Sequence, residues 1–254
     1  MVHSWPQATD GNSATIRTVL FDYRKAFDLI DHRILVDKLC KLVQPTRIIN
    51  WMIDFLSGRS QRIKLAEGCY SKWGSVPSGV PQGTKLGPWL FLILINDLTL
   101  NGNFKAQLWK YVDDTTTSEV VAKGGASNAQ HIADCVSQWS LDNRVQLNSE
   151  KCKELRIPFT KKQSEFHPIV VNGNQLEVFR SAKLLGVTIT GDLSWDQHFN
   201  ETVNKASKRL YFLVQLKRAK LPCWDLVLFY VTCIRSILVY AATVFFYALP
   251  KYTM

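Results

Sequence analysis

The sequence predicts an α+β fold, and three features of the chain support this class. Short segments rich in β-branched residues are interspersed with segments whose apolar residues recur at helical spacing. After about Asp196 only the helical pattern continues, so we place a domain boundary there, between residues 1–195 and residues 196–254. With 46% hydrophobic and 20% charged residues, the 254-residue chain has the balance of a globular protein that buries one or two cores.

The first part of the chain has a mixed order of strands and helices. We expect a strand over residues 15–21 that ends at Asp22, followed by two helices within residues 26–56 that Pro45 separates. Residues 105–117 predict a hairpin with its tight turn at Val112-Asp113-Asp114. The other predicted elements are strands over residues 61–65, 69–76, 155–159, 169–171 and 184–189, and helices over residues 88–98 and 129–142.

The charge and the cysteines limit the classes of protein to consider. Lys and Arg outnumber Asp and Glu by 31 to 21, and the resulting net charge of +10 suits a polyanion such as nucleic acid. A basic soluble enzyme without such a partner would carry the same charge, so charge alone does not distinguish the two. The six cysteines are scattered without a CxxC pair, which indicates buried or free thiols in a reducing compartment rather than a zinc site or a disulfide framework.

Two segments bear on membrane association. The N-terminal residues MVHSWPQATDG lack the apolar core of a signal peptide. Residues 226–249 are almost wholly apolar and resemble a membrane span, but Arg235 lies in their middle, where a charge is costly in lipid. We therefore expect a helix that faces the protein core and no membrane association, with a membrane span as the alternative.

A pair of adjacent acids is the strongest chemical signal in the sequence. Asp113 and Asp114 lie in YVDD at the predicted hairpin turn, where two neighbouring carboxylates repel each other unless a cation neutralises them. Asp22 ends a strand predicted to lie beside this hairpin. Three such carboxylates can hold two metal ions about 3.5–4 Å apart, the arrangement used for in-line phosphoryl transfer. The alternative is an ordinary turn in which the aspartates cap backbone N–H groups.

Five sequence blocks, taken in order, resemble the successive palm motifs of reverse transcriptases. The motif AFD followed by DH, and the later motif LLGV…LSW, are similar to those of non-LTR (LINE-type) retrotransposons. The resemblance covers residues 17–250. It implies a polymerase palm, meaning an antiparallel sheet with packed helices, followed by a helical thumb. The blocks are FDYRKAFD (21–28), SGVPQGTKLGP (78–88), YVDD (111–114), LNSEKCKEL (147–155) and KLLGVTITGDLSW (183–195).

The resemblance implies an RNA-directed DNA polymerase that uses an RNA template, a DNA primer and dNTPs. Asp22 and Asp113 would be the main ligands of two Mg²⁺ ions, which Mn²⁺ can replace, and Asp114 would complete the site. Bound there, one metal ion lowers the pKa of the primer 3′-hydroxyl, and the other holds the triphosphate and the leaving pyrophosphate. The family places such a protein inside the cell, in the nucleus or the cytoplasm.

The resemblance also implies a nucleotide site. Phe21 and Tyr23 would contribute backbone beside the metal ions, and Phe27 takes the place of the bulky gate that excludes a ribose 2′-hydroxyl. Gln82 would lie against the incoming nucleotide and the templating base. Gly83, like Gly79, fits this loop because glycine lets the backbone approach a ligand closely. A plain turn before a helix is the alternative for the loop.

Further matches concern the leaving group, the primer and the thumb. Lys151 matches a lysine near the triphosphate that acts as a general acid, although a plain solvated charge is the alternative. Leu185-Gly186 resembles the primer-grip hairpin, with a plain strand as the alternative. Lys205, Lys208 and Arg209 recur at i, i+3, i+4 spacing on the predicted thumb helix, where they would contact template–primer phosphates unless they form an ordinary solvated face.

The sequence departs from the family pattern at its front. Only 21 residues precede Asp22, and neither a basic fingers region nor an endonuclease domain is visible. We therefore expect apolar palm surface that fingers would cover to be exposed. The chief alternative is a catalytically inactive, nucleic-acid-binding remnant of a retroelement. An RNA-dependent RNA polymerase would share the metal site, but the bulky Phe27 disfavours ribonucleotides.

Overall fold

The computed structural model describes residues 1–2, 4–5, 14–42, 45–100, 102, 106–160 and 165–245. Its helices, in chain order, are α1 His32–Leu42, α2 Thr46–Leu56, α3 Leu86–Ile95, α4 Ala129–Asp142, α5 Asp196–Arg218, α6 Cys223–Phe229, α7 Ser236–Val239 and α8 Ala242–Phe245, with a π-helical segment Tyr230–Arg235 between α6 and α7. Its strands are β1 Ala14–Phe21, β2 Ser60–Gln61, β3 Lys64–Ala66, β4 Cys69–Tyr70, β5 Gly74–Ser75, β6 Ala106–Tyr111, β7 Asp114–Ala122, β8 Lys153–Pro158, β9 Val170–Val171, β10 Asn174–Gln175, β11 Glu177–Phe179, β12 Ser181–Leu184 and β13 Val187–Thr190.

A five-stranded sheet in the order β11-β8-β1-β7-β6 forms the centre of the fold. The central strand β1 pairs antiparallel with β7 and β8, β7 pairs antiparallel with β6, and only the β11–β8 pair is parallel. The predicted α+β class, with a largely antiparallel sheet and packed helices, is confirmed. The predicted hairpin is also confirmed as β6–β7, although Lys105 lies outside the described residues.

The two faces of the sheet carry different cores because side chains alternate along a strand. Val19 and Phe21 pack in the larger core with residues of α1, α3 and α4. Ile16 belongs to a smaller core on the other side, together with Trp195 and Phe245 from the C-terminal region. The chain just after β1, which begins with Asp22, therefore leaves the sheet between two packed layers.

Two lysines stabilise the C-terminal end of the apolar helix α3. Lys110 Nζ donates hydrogen bonds of 3.0 Å to the carbonyl oxygens of Ile95, Asn96 and Leu98. Lys38 Nζ donates to Leu94 O at 2.6 Å, again at this helix end. Burial lowers the pKa of both lysines. Cations suit the carbonyl oxygens and the negative dipole at a helix C-terminus, so these bonds attach α3 to the β6–β7 hairpin and to α1.

A buried ionic cluster joins β1 to β8 within the sheet. Glu154 Oε1 accepts hydrogen bonds from Arg17 Nε at 2.8 Å and from Arg156 Nε at 2.7 Å. Burial raises the pKa of Glu154, but the hydrogen bonds and charges of the two arginines outweigh it, and the net pKa is lowered. Arg17 Nη1 also donates to Ser127 Oγ at 2.9 Å, which attaches the segment before α4 to the sheet.

The strand predicted over residues 184–189 is wrong, and the predicted strands over residues 61–65 and 69–76 are each interrupted, at residues 62–63 and 71–73. Residues 184–189 form no single strand, because Leu185 and Gly186 have positive φ angles of 46° and 84° and make the turn between β12 and β13. Tyr240 Oη donates a 2.7 Å hydrogen bond to Leu185 O and holds this turn against the C-terminal region. The turn is the one that the family resemblance implies.

The prediction that the C-terminal apolar segment faces the protein core is wrong. Within it Ile234 and Phe245 are buried, whereas most of its described apolar side chains lie on the surface because the segment packs mainly along α5. The helical stretch Cys223–Phe245 has a mean hydropathy of 1.8 and is long and apolar enough to cross a membrane by length and composition alone. Residues 246–249 of the predicted segment lie outside the described residues. The exposed apolar residues include Trp224, Val227, Leu228, Val231, Leu238 and Val239.

Candidate active site

The sheet brings the three aspartates to the same end of β1 and β7. Phe21 pairs with Thr115, and continuing this register by one residue sets Asp22 opposite Asp114. Asp113 precedes Asp114 in the two-residue turn between β6 and β7, because Tyr111 pairs with Asp114. The expected proximity of the strand-end aspartate to the hairpin pair therefore follows from strand register.

The turn that carries Asp113 has an unusual backbone. Val112 has a φ of 55°, a conformation that β-branched residues rarely adopt. Its side chain packs against the larger core, which holds the residue in place. Strained residues of this kind cost about 1–3 kcal/mol and cluster at functional sites. The core packing of Val112 thus fixes the direction in which Asp113 projects from the hairpin.

The carboxylates influence one another electrostatically. The pKa of Asp114 is raised, first by burial and then by the negative charges of Asp113 and Asp22. Among the described residues, no three His, Cys, Asp or Glu side chains converge closely enough to hold a metal ion as they stand. The donor set still fits divalent cations, because Mg²⁺ takes one or two carboxylates and completes its shell with water and substrate phosphates. Cation binding would relieve the repulsion that raises the pKa of Asp114.

The segment before β8 lines the other side of Asp22. The Asp22 amide donates to Cys152 Sγ at 3.4 Å, and its carbonyl oxygen accepts a 2.8 Å hydrogen bond from the Asn148 amide. Lys151 lies in the turn over residues 149–151, just before β8 begins at Lys153 beside the end of β1. Lys151 is exposed, and its amide donates to Asn148 O at 3.0 Å. The predicted lysine therefore lies at the same end of the sheet as the aspartates.

Phe21 and Tyr23 turn their side chains away from this end of the sheet. They are only 4% and 6% exposed and pack in the larger core. Burial raises the pKa of Tyr23 to about 12, against a smaller lowering by the Thr115 hydroxyl. Only the backbone of these two residues remains for contact with a nucleotide, which is the part that the resemblance assigns to them.

Phe27 and Gln82 come together through Asp28. Gln82 Nε2 donates to Asp28 Oδ1 at 3.0 Å, and the Val80 amide donates to Phe27 O at 2.7 Å. The Phe27 ring is half-buried and stacks on Phe91 of α3, with ring centroids 5.1 Å apart. These contacts hold the loop over residues 78–83 against the turn that follows β1. Asp28 therefore maintains the geometry of the loop and does not cap a helix.

The cap of the helix that follows is provided by Asp31. Asp31 Oδ1 accepts hydrogen bonds from the amides of Arg33 at 2.8 Å and Ile34 at 3.4 Å, in the first turn of α1. The chain forms a turn over residues 24–28 and a bend at residue 29, so the helix begins only at His32 and Asp31 lies directly before it.

The two glycines of the loop have different roles. Gly79 has a φ of 78°, and a Cβ there would lie 2.5 Å from Asp28 O and 2.7 Å from Phe27 O. Gly83 has a φ of 77°, and a Cβ there would have no atom within 4 Å. The close approach that requires Gly79 is therefore to the protein's own backbone, and only Gly83 leaves open space beside it.

Comparison with known proteins identifies the family. The family model for reverse transcriptase (RNA-dependent DNA polymerase) matches residues 7–189, which is more than half of the chain. The chain belongs to the reverse transcriptase family. A second family model, for the N-terminal part of alkylated DNA repair protein alkB homolog 8, matches only residues 195–236.

Relatives of this reverse transcriptase domain confirm the resemblance to non-LTR (LINE-type) elements. It is 26% identical over 185 residues to the RNA-directed DNA polymerase from mobile element jockey of Drosophila melanogaster, covering 70% of this chain and 20% of the relative. It is 27% identical over 216 residues to the probable RNA-directed DNA polymerase from transposon BS of the same species, covering 80% and 23%. The chain thus spans about a fifth of the length of the curated relatives it matches.

Solved telomerase structures share the fold of this reverse transcriptase domain. Telomerase from Candida tropicalis, in complex with the TWJ fragment of telomeric RNA, matches with a TM-score of 0.55 and 14% identity, over 99% of this chain and 42% of that one. The corresponding complex from Candida albicans matches with a TM-score of 0.52 and 13% identity, over 96% and 41%. At such low identity the likeness shows the fold alone.

The three predicted thumb residues of this reverse transcriptase domain lie apart from the aspartates in sequence and on a separate element. Lys205, Lys208 and Arg209 are all exposed on α5, which packs on β13 and on the C-terminal helices. Helix α5 begins at Asp196, the position at which the sequence predicts a domain boundary. The boundary itself and the phosphate contacts stay predictions.

Sequence reasoning missed several residues around the site. Cys152 and Asn148 contact the backbone of Asp22, and Arg59 Nη2 donates to Gly79 O at 2.6 Å. The first two lie inside the block LNSEKCKEL, so the block pointed to the correct segment without showing which of its residues touch Asp22. No pattern in the sequence pointed to Arg59.

Proposed function

We propose that this domain is an RNA-directed DNA polymerase domain that transfers a nucleotide from a dNTP to a primer 3′-hydroxyl. The observation that carries the proposal is the strand register that sets Asp22 opposite Asp114, with Asp113 in the adjoining turn. Acidic side chains grouped at the end of a sheet are suited to hold the divalent cations used in phosphoryl transfer. The choice of an RNA template is supported by the relatives from mobile element jockey and transposon BS, whose names describe RNA-directed DNA polymerases.

The aspartates and Lys151 would have different roles in the reaction. Asp22, Asp113 and Asp114 would hold two Mg²⁺ ions, or Mn²⁺ in their place, and these ions supply activation of the 3′-hydroxyl and neutralisation of the triphosphate. The 3′-oxygen then bonds to the α-phosphorus while the bond to the bridging oxygen of pyrophosphate breaks. Lys151, exposed at the same end of the sheet, would give a proton to the departing pyrophosphate.

The loop over residues 78–83 and the turn that follows β1, which contact each other, would select the nucleotide. Gln82, held by Asp28, would lie against the incoming nucleotide and the templating base, beside the open space at Gly83. Phe27 would lie under the sugar and exclude a ribose 2′-hydroxyl, since its stacking on Phe91 leaves it little freedom to move aside. Positioning of this kind supplies much of the catalysis in phosphoryl transfer.

Primer extension tests the proposal. The purified chain with Mg²⁺ should extend a DNA primer on an RNA template, and Asp113→Asn should reduce the rate by at least about a hundredfold because a metal ligand is lost. Asp37→Asn, at an exposed acid on α1, is the matched control and should extend like the parent. Equal extension by Asp113→Asn would refute the role of that residue. Salt-dependent binding of an RNA–DNA hybrid without any extension by the parent would instead favour the inactive nucleic-acid-binding remnant.

A further inference from the structure

A small protruding hairpin between α2 and α3 has a surface that the candidate active site does not use. Strand β2 pairs with β5, and β3 pairs with β4, so residues 60–75 form two successive short ladders, here called the 60–75 hairpin. Every residue of this hairpin is exposed. Its large apolar side chains include Leu65 and Trp73, which are 76% and 64% exposed. Exposure of this kind indicates a binding surface more often than a structural role.

The hairpin arranges its aromatic and basic side chains in a stack. The Arg62 guanidinium carbon lies 4.0 Å from the ring centroid of Tyr70 and 4.8 Å from that of Trp73. Lys64 Nζ lies 5.8 Å from the Tyr70 ring centroid. Cation–π contacts at exposed sites contribute about 0.5–1 kcal/mol each, enough to bias the rings toward one orientation. The result is a row of flat surfaces held open to solvent.

The charge of the hairpin indicates the chemistry of its partner. Residues 60–75 contain three basic residues and a single acid, Glu67, which gives the hairpin a formal charge of +2. Flat aromatic and guanidinium surfaces stack on nucleobases, and the positive charge attracts the phosphate backbone. Bases inside a duplex are already stacked on each other and cannot reach such a surface. A single strand with unpaired bases has both features that the hairpin would recognise.

The base of the 60–75 hairpin is attached to the loop over residues 78–83. The Val76 amide donates to Arg59 O at 2.9 Å, and the Arg59 guanidinium donates to Gly79 O at 2.6 Å. His32 Nε2 also lies 2.7 Å from Gly79 O. The same loop carries Gln82, which contacts Asp28. A strand lying on the hairpin therefore adjoins the loop assigned to the templating base.

We propose that Arg62, Tyr70 and Trp73 form a stacking platform for single-stranded nucleic acid, and that its occupant is the unpaired template strand ahead of the reaction. The template role rests on the proposed function, whereas single-strand binding by the platform does not. Binding at the platform orients the next template bases toward Gln82. Stacking is tolerant of sequence, so the platform serves any template.

A binding assay with labelled oligonucleotides tests the platform. The parent should bind a single-stranded RNA 12-mer, and Tyr70→Ala with Trp73→Ala should weaken that binding roughly tenfold or more, measured by fluorescence anisotropy at fixed salt. The same variant should bind an abasic 12-mer of equal charge as the parent does, because stacking is what it loses. Trp51→Ala, which removes an exposed tryptophan on α2, is the matched control and should bind like the parent.

Each other outcome overturns the platform. Unchanged affinity for the RNA 12-mer shows that the rings do not stack on bases. An equal loss for the abasic strand shows that charge alone acts there. Loss of binding to phosphatidylcholine–phosphatidylserine vesicles, with RNA binding unchanged, shows that the surface contacts a membrane instead. Because the hairpin is fully exposed, circular dichroism should show an unchanged fold in every variant.

A second readout separates the platform from the proposed function. Asp113→Asn should retain full affinity for the RNA 12-mer while losing extension, so failure of catalysis alone leaves the platform standing. In the parent background, Tyr70→Ala with Trp73→Ala should raise the template KM about tenfold for a long unpaired overhang and leave it unchanged for a one-nucleotide overhang. An equal change in template KM for the two overhangs, or no change for either, would refute the template role.

Discussion

Single residues hold the loop over residues 78–83 against the turn after β1. The two glycines of this loop have similar backbone angles but different surroundings. Gly79 and Gly83 have nearly the same φ, 78° and 77°, but a Cβ meets backbone oxygens at 2.5–2.7 Å only at Gly79. The sequence showed that glycines occur in this loop and suggested that a ligand approaches them. It could not show that Gly79 is pressed against Asp28, since that contact joins residues that are distant in the chain.

The two glycines give a matched pair of variants. Gly83→Ala should cost about 1 kcal/mol in the free energy of unfolding, the ordinary penalty of alanine at positive φ. Gly79→Ala should cost clearly more, because the added methyl also displaces the loop from Phe27 and Asp28. Urea denaturation of both variants measures the difference. Equal losses would mean that the loop moves freely away from the turn.

At the scale of secondary-structure elements, the order and approximate lengths of the main helices and strands could be predicted, because hydrophobic periodicity and turn-forming Gly and Pro residues are local signals. Helix α4 spans Ala129–Asp142 as predicted, and β1 lies within one residue of its prediction. The strand predicted over 184–189 failed because Leu185 adopts a positive φ that its apolar side chain does not signal. The prediction that residues 226–249 face the core was also wrong, because composition cannot show whether another element packs against them.

The buried cluster between β1 and β8 could not be predicted, since the polar residues in these strands resemble a solvated face. Glu154 is fully buried between Arg17 and Arg156. Glu154→Gln should lower the free energy of unfolding by about 3 kcal/mol, because the charge of buried Arg17 loses its partner. Glu177→Gln, on exposed β11, is the control and should change little. A change below about 1 kcal/mol in Glu154→Gln would show that the cluster does not stabilise the sheet.

The contribution of Glu154 to the free energy of unfolding should depend on pH. The pKa of Glu154 in the folded state lies below its ordinary value of 4.5. Its contribution is therefore complete above pH 4.5 and is lost as the pH falls from there through the folded-state pKa. The stability gap between the parent and Glu154→Gln should narrow in that acidic range and stay constant above it. Denaturation curves at a series of pH values measure this gap, and a gap that widens on acidification would contradict the lowered pKa.

At the scale of the whole molecule, the net charge of +10 is a property of the chain, while binding depends on where the charges lie. If Lys205, Lys208 and Arg209 contact phosphates, replacing all three by alanine should make the slope of log K against log salt shallower by about 2–3. Lys217, Lys220 and Arg218, near the end of α5, provide a triple variant with the same loss of charge. Equal slopes for the two triple variants would mean that α5 contributes only general charge.

The part of the site that could be predicted from the sequence is the part that the motifs carry. Asp22, Asp113 and Asp114 lie at one end of the sheet because the register of β1 and β7 sets them there. The neighbours of Asp22, including Cys152 and Asn148, could not be predicted individually, because a backbone contact leaves no side-chain signature. The sequence thus identifies the chemical groups, and the fold shows what positions them.

The central claim is that these three aspartates jointly hold divalent cations, and Mn²⁺ binding measures it without any need for turnover. In electron paramagnetic resonance titrations with template–primer and dNTP present, the parent should bind Mn²⁺, and both Asp22→Asn and Asp114→Asn should weaken binding at least about tenfold. Asp37→Asn should bind Mn²⁺ like the parent. Unchanged Mn²⁺ affinity in Asp22→Asn and Asp114→Asn would contradict the account.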